Sequence, residues 1–254
     1  MGGTHPTSVA AAAAGGVAMG TLHVVTGADH ISAVASLSVG NSPSRAFALG
    51  ARWGAGHSVG LLCVFLVLLA LRVEADEAFV RAASRWMGLG VGAFMVALGV
   101  YGVREVDQRL RDADGEDAER ARLFAATEEL ETSPMTATST HVSEGTRSSS
   151  LVTDRLAVLA GVVHGAAGPG AILGVLPAMA LRDEPLVFGY FGGFVCAVVV
   201  AMGAFAAGWG AGTRALGKRG GARVARGLAM CSSVLCVVVG IAWAACSAAG
   251  VETD

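Results

Sequence analysis

The chain has 254 residues, 54% of them hydrophobic and only 15% charged, with a mean hydropathy of +0.60. Soluble domains carry about 25% charged residues, so this composition excludes an ordinary soluble globular protein and fits a polytopic protein whose first partner is the lipid bilayer. A formal net charge of −2 gives no footing for nucleic-acid binding, and no nucleic acid is expected.

Spans of about 20 apolar residues mark six helices in chain order: 8–38 (long and interrupted), 46–71, 84–104, 155–181, 186–211 and 224–249. The first is mostly Ala and Gly, which lets neighbouring helices approach closely and argues for a place inside the bundle. No basic region precedes it, the first Arg or Lys being Arg45, so a retained helix is expected and not a cleaved signal peptide. Residues 104–153, between the third and fourth spans, hold 17 of the 38 charged residues, 11 of them acidic. The first part of this segment reads as a solvated helix and its Ser/Thr-rich second part as disordered.

Inside the first span stands GTLHVVTG (20–27), and 141 residues later comes GVVHGAAG (161–168); both read Gly-x-x-His-x-x-x-Gly. The same offset aligns Arg85 with Arg226 and Gly99 with Gly240, while an offset of 139 aligns Gly50 and Gly54 with Gly189 and Gly193. Two three-span halves joined by one loop must have opposite orientations. The expected fold is therefore an all-α membrane protein of six transmembrane helices, built as two inverted three-helix repeats over 1–103 and 154–254, with its site between the halves near mid-membrane. Thirteen Lys and Arg lie on the loops between helices one and two, three and four, and five and six, against four on the other two loops. This imbalance puts the middle loop on the cytoplasmic or organelle-interior side and both termini opposite.

Ionisable groups at membrane depth are costly and mark ion or substrate pathways. Four of the six histidines, His23, His30, His57 and His164, fall within predicted spans, and Asp29 is the one carboxylate well inside a span. Imidazole suits Ni, Co, Cu and Zn, and a carboxylate offsets a cation's charge. Thr26, Ser32 and Ser58 are nearby hydroxyls that could satisfy the second imidazole nitrogens. On an unbroken helix His23 and His30 lie seven residues and roughly 10 Å apart along the axis, too far to share an ion at about 2 Å per bond. Gly27 is where the helix could unwind, bring them together and free backbone carbonyls; Gly168-Pro169-Gly170 is the stronger break in the second half. Arg52 reads as a snorkelling or helix-pairing charge, because a guanidinium repels a metal cation. Trp53 and Trp86 read as packing or interface residues. Cys63, Cys196, Cys231, Cys236 and Cys246 read as small buried apolar residues without metal-site spacing.

HVVTGADHISAVASLSVG, RWGAGHSVG and HGAAGPGAILGVLPA resemble the nickel/cobalt transporter (NicO) superfamily, closest to the UreH-like membrane proteins with patterns such as H-x-x-x-G-P-D-H-L-x-A. The likeness covers both helical halves and omits 104–153. It implies a carrier of divalent Ni or Co, with His23, Asp29 and His30 as metal residues and His57 and His164 as secondary ones. Ala28 stands where UreH-like members often have Pro. The spacing H-x5-D-H also differs from the H-x4-D-H common in the family, a shift of about 100° on a helix that leaves the metal's identity open. More distantly the arrangement is similar to disulfide-transferring domains of the cytochrome-c-biogenesis type, but His23 and His164 stand where those need cysteines.

The expected function is thus a secondary transporter, not an enzyme, with no tightly bound cofactor and Ni or Co as cargo, working by rocking of the two halves. No P-loop is present, so a gradient or a partner supplies the energy. The alternatives are a haem-binding redox protein, an anion or small-solute exporter using Arg52, and a membrane accessory protein for metalloenzyme maturation. A homo-oligomer, a metallochaperone or a urease-type accessory protein is compatible as partner.

Overall fold

The computed structural model describes residues 8–70, 77–128, 144–167, 177–178, 181 and 183–250, and its elements are all helical. They are α1 (Val9–Thr26), α2 (Ala28–Ser38), α3 (Pro43–Ala70), α4 (Glu77–Glu128), α5 (Glu144–Ala167) and α6 (Glu184–Ala249). Among the described residues four helical stretches are long and apolar enough to cross a membrane: Val9–Thr26, Pro43–Val67, Arg81–Gln108 and Glu184–Ala249. The distribution of side chains is inverted relative to a water-soluble bundle. Leu22, Val25, Leu159, Phe188, Val200 and Ile241 face outward, whereas Asp29, His30, Ser32, His57, Ser58 and His164 are buried. Apolar surface on this scale belongs against lipid. The described residues are all-helical, with the candidate spans and outward apolar faces of a membrane protein.

Ser8 starts α1, its hydroxyl accepting from the Ala11 N–H at 3.2 Å. The span expected at 8–38 is divided at Gly27, whose extended backbone (φ −76°, ψ 95°) ends α1 and begins α2. The expected loop between the fifth and sixth spans is absent as a loop. Helix runs up to and away from Gly221, whose φ of 74° and ψ of −173° reverse the chain at one residue. A Cβ on Gly217 would lie 3.0 Å from that of Ala225, whereas eight residues of straight helix would separate them by about 12 Å. The left-handed φ is open to Gly at no steric cost. α4 continues to Glu128, so the first part of the acidic segment is helical as expected; residues 129–143 lie outside the described residues, and the end of the Ser/Thr-rich part, expected to be disordered, is helical from Glu144 as the start of α5.

α6 is the centre of the bundle. Its first leg packs against α1 and α3, and its second leg runs antiparallel to α4, with Gly92 beside Gly240 and Gly99 beside Ser233 and Val237. α3 also packs along α5, at very short range. Cβ atoms built on Gly161 and Gly165 of α5 would stand 2.8 Å from the amide nitrogen and carbonyl carbon of His57, and one on Gly60 of α3 would stand 2.7 Å from the Ala166 amide. With Gly56, these residues form reciprocal small-xxx-small seams, the arrangement by which membrane helices approach backbone to backbone. The core between the helices holds Val34, Trp53, Met95, Phe194, Val198 and Met202. The closest packing therefore joins the N-terminal three helices to the C-terminal ones.

One sequence expectation changes here. Cys63, Cys196 and Cys231 are exposed on the bundle and only Cys236 is buried; a thiol is apolar enough to face lipid as readily as a core. Arg52, read as a pairing charge, does pair: Asp154 of α5 lies 3.2 Å from Arg52 and 2.7 Å from Arg45, both on α3. Asp154 was not among the site candidates, and it belongs to this ionic clasp.

Candidate metal centre

Four elements bring their ionisable residues to one place. His23 lies in the last turn of α1, Asp29 and His30 in the first turn of α2, His57 in mid-α3 and His164 in the last turn of α5. His23 is half-buried, and the other four are buried. The Gly27 break makes the first grouping possible. It places the His23 and His30 rings 4.5 Å apart, centroid to centroid, in place of the axial separation an unbroken helix would impose. The 100° shift inferred from H-x5-D-H spacing on a continuous helix therefore does not apply. Two backbone bonds span the break, Gly27 N–H to His23 O at 3.2 Å and Ile31 N–H to Gly27 O at 3.1 Å. A Cβ on Gly27 would collide with His30 Nδ1 and stand 2.9 Å from Asp29 Oδ1. Gly27 is needed here for space, since its φ is ordinary.

The donor atoms fall into two sets. His57 Nε2 lies 3.1 Å from His23 Nε2 and 3.4 Å from His30 Nε2. On the other side of the His30 ring, Nδ1 is 2.8 Å from Asp29 Oδ1, and Asp29 Oδ2 is 2.8 Å from His164 Nε2. The groups His23, His30, His57 and Asp29, His30, His164 each have their ligand atoms within 4.8 Å of one another. Metal–nitrogen bonds of about 2.0–2.1 Å in a tetrahedron put ligand atoms about 3.3–3.4 Å apart, close to the two distances from His57 Nε2. The pairs at 2.8 Å around Asp29 have the length of charge-assisted hydrogen bonds. A carboxylate only accepts, so both imidazole nitrogens that face it donate. In its neutral form His30 would then present an unprotonated Nε2 to His23 and His57, the orientation a ligating histidine takes when a carboxylate holds its other nitrogen. Asp29 also sits at the N-terminus of α2, where a negative charge is favoured by the helix dipole.

The hydroxyls expected to satisfy the remaining nitrogens do not. Thr26 bonds to the Leu22 carbonyl, Ser32 to those of Ala28 and Asp29, and Ser58 to that of Gly54. Within a helix the carbonyl one turn back is always in reach and outcompetes a distant ring. The Nδ1 atoms of His57 and His164 and the Nε1 of Trp53 have no hydrogen-bond partner among the described residues. Gly168, Pro169 and Gly170, the expected break in the second half, lie outside the described residues.

Trp53 is more than packing. Fully buried, it sets its ring edge-on to His164 at 5.3 Å and tilted to His30 at 6.3 Å. Phe194 of α6 covers His23 at 5.7 Å and Phe94 of α4 lies 6.3 Å from His164. The available signal was the spacing of Trp53 and His57, four residues apart and so on one helix face. Trp86, by contrast, is 73% exposed. Haem does not suit this arrangement: the four imidazoles pack on one another at 4.5–5.6 Å, which leaves no gap for a macrocycle between axial ligands.

No family model matches the chain, and no solved structure matches it. It is 29% identical over 226 residues to Chloroplast protein FOR GROWTH AND FERTILITY 1 of Arabidopsis thaliana, covering 89% of this chain and 56% of that protein. To Chloroplast protein FOR GROWTH AND FERTILITY 2 of the same plant it is 28% identical over 236 residues, covering 93% and 56%. The chain thus spans about half the length of the curated relatives it matches.

Proposed function

We propose that this chain is a secondary transporter of divalent transition-metal cations of the nickel or cobalt type. The observation that carries the reading is the approach of His23 Nε2 and His30 Nε2 to His57 Nε2, at 3.1 and 3.4 Å, inside a lipid-facing bundle. Three neutral nitrogens suit Ni, Co, Cu or Zn better than a hard cation, and a fourth position left open suits an ion that must also leave. The sequence resemblance to the nickel/cobalt transporter superfamily agrees with this chemistry.

Six crossings follow if α1 and α2 form one interrupted span, α6 two, and α5 continues beyond Ala167. The pairing of α1 with the first leg of α6, matched by that of α5 with α3, supports an inverted repeat. Rocking of whole halves is disfavoured, because the glycine seams between them would have to open. The α1–α2 junction, with its extended Gly27, is the better place for movement. The names of the relatives put those proteins in chloroplasts, which makes a plastid-type membrane the first location to examine.

His23→Ala and Asp29→Ala are each expected to abolish nickel and cobalt accumulation in cells expressing the protein, measured by element analysis. Wild-type accumulation in both variants would sink the reading. A second check is optical. Paramagnetic Co(II) bound among these imidazoles quenches the Trp53 emission, and Trp53→Phe is expected to remove most of the metal-dependent change in fluorescence. The exporter alternative rests on Arg52, which the Asp154 clasp occupies. Asp154→Asn is expected to cost about 1 kcal/mol or less in thermal unfolding and to leave cobalt transport unaltered.

A further inference from the structure

The three-imidazole set leaves part of the cluster unexplained. Asp29 and His164 are both buried, at 4% and 0% exposure, yet stand outside that set. Only His30 belongs to both, with Nε2 turned to His57 and Nδ1 turned to Asp29. The two sets also differ in origin and depth. His23, His30 and His57 come from α1, α2 and α3, and His23 is half-buried; Asp29, His30 and His164 join α2 to α5 and are all buried.

We propose that Asp29, His30 Nδ1 and His164 Nε2 form a second, deeper cation station that overlaps the first at His30, so that the ion crosses by handover from one side of a single imidazole to the other. This rests on the transporter reading above. The first station is neutral and reachable past His23, so it admits the ion after partial dehydration. The second supplies a carboxylate, whose charge compensates a divalent cation at a depth where an uncompensated charge is strongly disfavoured. Two imidazole N–H donors satisfy the same carboxylate without a cation, so Asp29 is never left bare. Handover asks each donor to become a ligand. The single proton of His30 moves from Nδ1 to Nε2, and that of His164 from Nε2 to Nδ1, a nitrogen with no competing partner among the described residues. Both rings stay neutral and no net proton is gained or lost. Because the deeper station takes ligands from both parts of the chain, the ion there ties α2 to α5.

Cobalt(II) chloride is the probe, read by visible d–d absorption on purified protein and by uptake into proteoliposomes. His164→Gln keeps an N–H donor for Asp29 but removes the imidazole ligand. It is expected to bind Co(II) with the wild-type three-imidazole band while uptake falls by about 10-fold or more. His57→Ala is expected to bind Co(II) about 10- to 100-fold more weakly, with a shifted band from the deeper station, and His57→Ala/His164→Gln to bind none. Wild-type uptake by His164→Gln, or equal cobalt binding by His57→Ala and the double variant, overturns the second station and reduces His164 to a positioning residue. Failure of the wild-type protein to bind cobalt overturns the transporter reading itself.

Discussion

Gly27→Ala is expected to lower the Co(II) affinity by at least about 100-fold while leaving the helix content of the protein unchanged. The alanine methyl would occupy the space of His30 Nδ1 and press on Asp29 Oδ1. Both atoms belong to the hydrogen bond that orients His30, and loss of one such outer contact typically costs about 10- to 100-fold in metal affinity. Here the contact and the ring position are disturbed together. The backbone angle itself is open to alanine, so the helices on either side have no reason to melt. Far-UV circular dichroism alongside a cobalt titration separates the two effects. Wild-type affinity in this variant would mean that the ring can leave its present position without consequence, and the geometry of the first station would lose its meaning.

The second large effect concerns the crossing of α3 and α5. Gly165→Ala places a methyl 2.8 Å from the His57 carbonyl carbon, where only backbone can yield. Separation of the two helices is expected to cost about 1–3 kcal/mol and to move His57 away from its partners, so that thermal stability in detergent and cobalt binding fall together. Gly208→Ala is the matched control. It lies on α6, exposed, with nothing within 4 Å of the added carbon, and removal of a helical glycine there is expected to be neutral or to stabilise by about 0.5–1 kcal/mol. Equal behaviour of the two variants would show that the seam is not a close contact in solution.

Much of the cluster was legible because its constituents are expensive. Four histidines and an aspartate in apolar sequence have few reasons to be there, and a glycine between His23 and His30 has an obvious use in a chain that must bend. The helical class and the break at Gly27 followed from local rules of this kind. What stayed hidden depends on contacts far apart in sequence. With 36 glycines in the chain, nothing local distinguishes Gly56, Gly60, Gly161 and Gly165, which carry a helix crossing, from Gly208 or Gly212, which touch nothing. Trp53 looked like an interface residue because its neighbour His164 is 111 positions away. The hydroxyls misled for the opposite reason: proximity in sequence to histidines suggested a partnership that the carbonyl four residues back had already taken. The one-residue reversal at Gly221 was masked by a basic, glycine-containing stretch that reads equally well as a loop.

That reversal also bears on how the protein enters its membrane. Arg214, Lys218, Arg219, Arg223 and Arg226 crowd the tip of the α6 hairpin, all exposed, and no acidic residue stands anywhere from 185 to 250 to offset them. Carrying an Arg or Lys to the bilayer centre costs about 2.5–3.5 kcal/mol on the insertion scale, so dragging this tip across would cost on the order of 12–17 kcal/mol by the same scale. That cost favours entry of the two legs as a pair, with the basic tip kept out of the bilayer core. On such a path the last quarter of the polypeptide would weigh on the orientation of the bundle more than its first span, which carries no Arg or Lys.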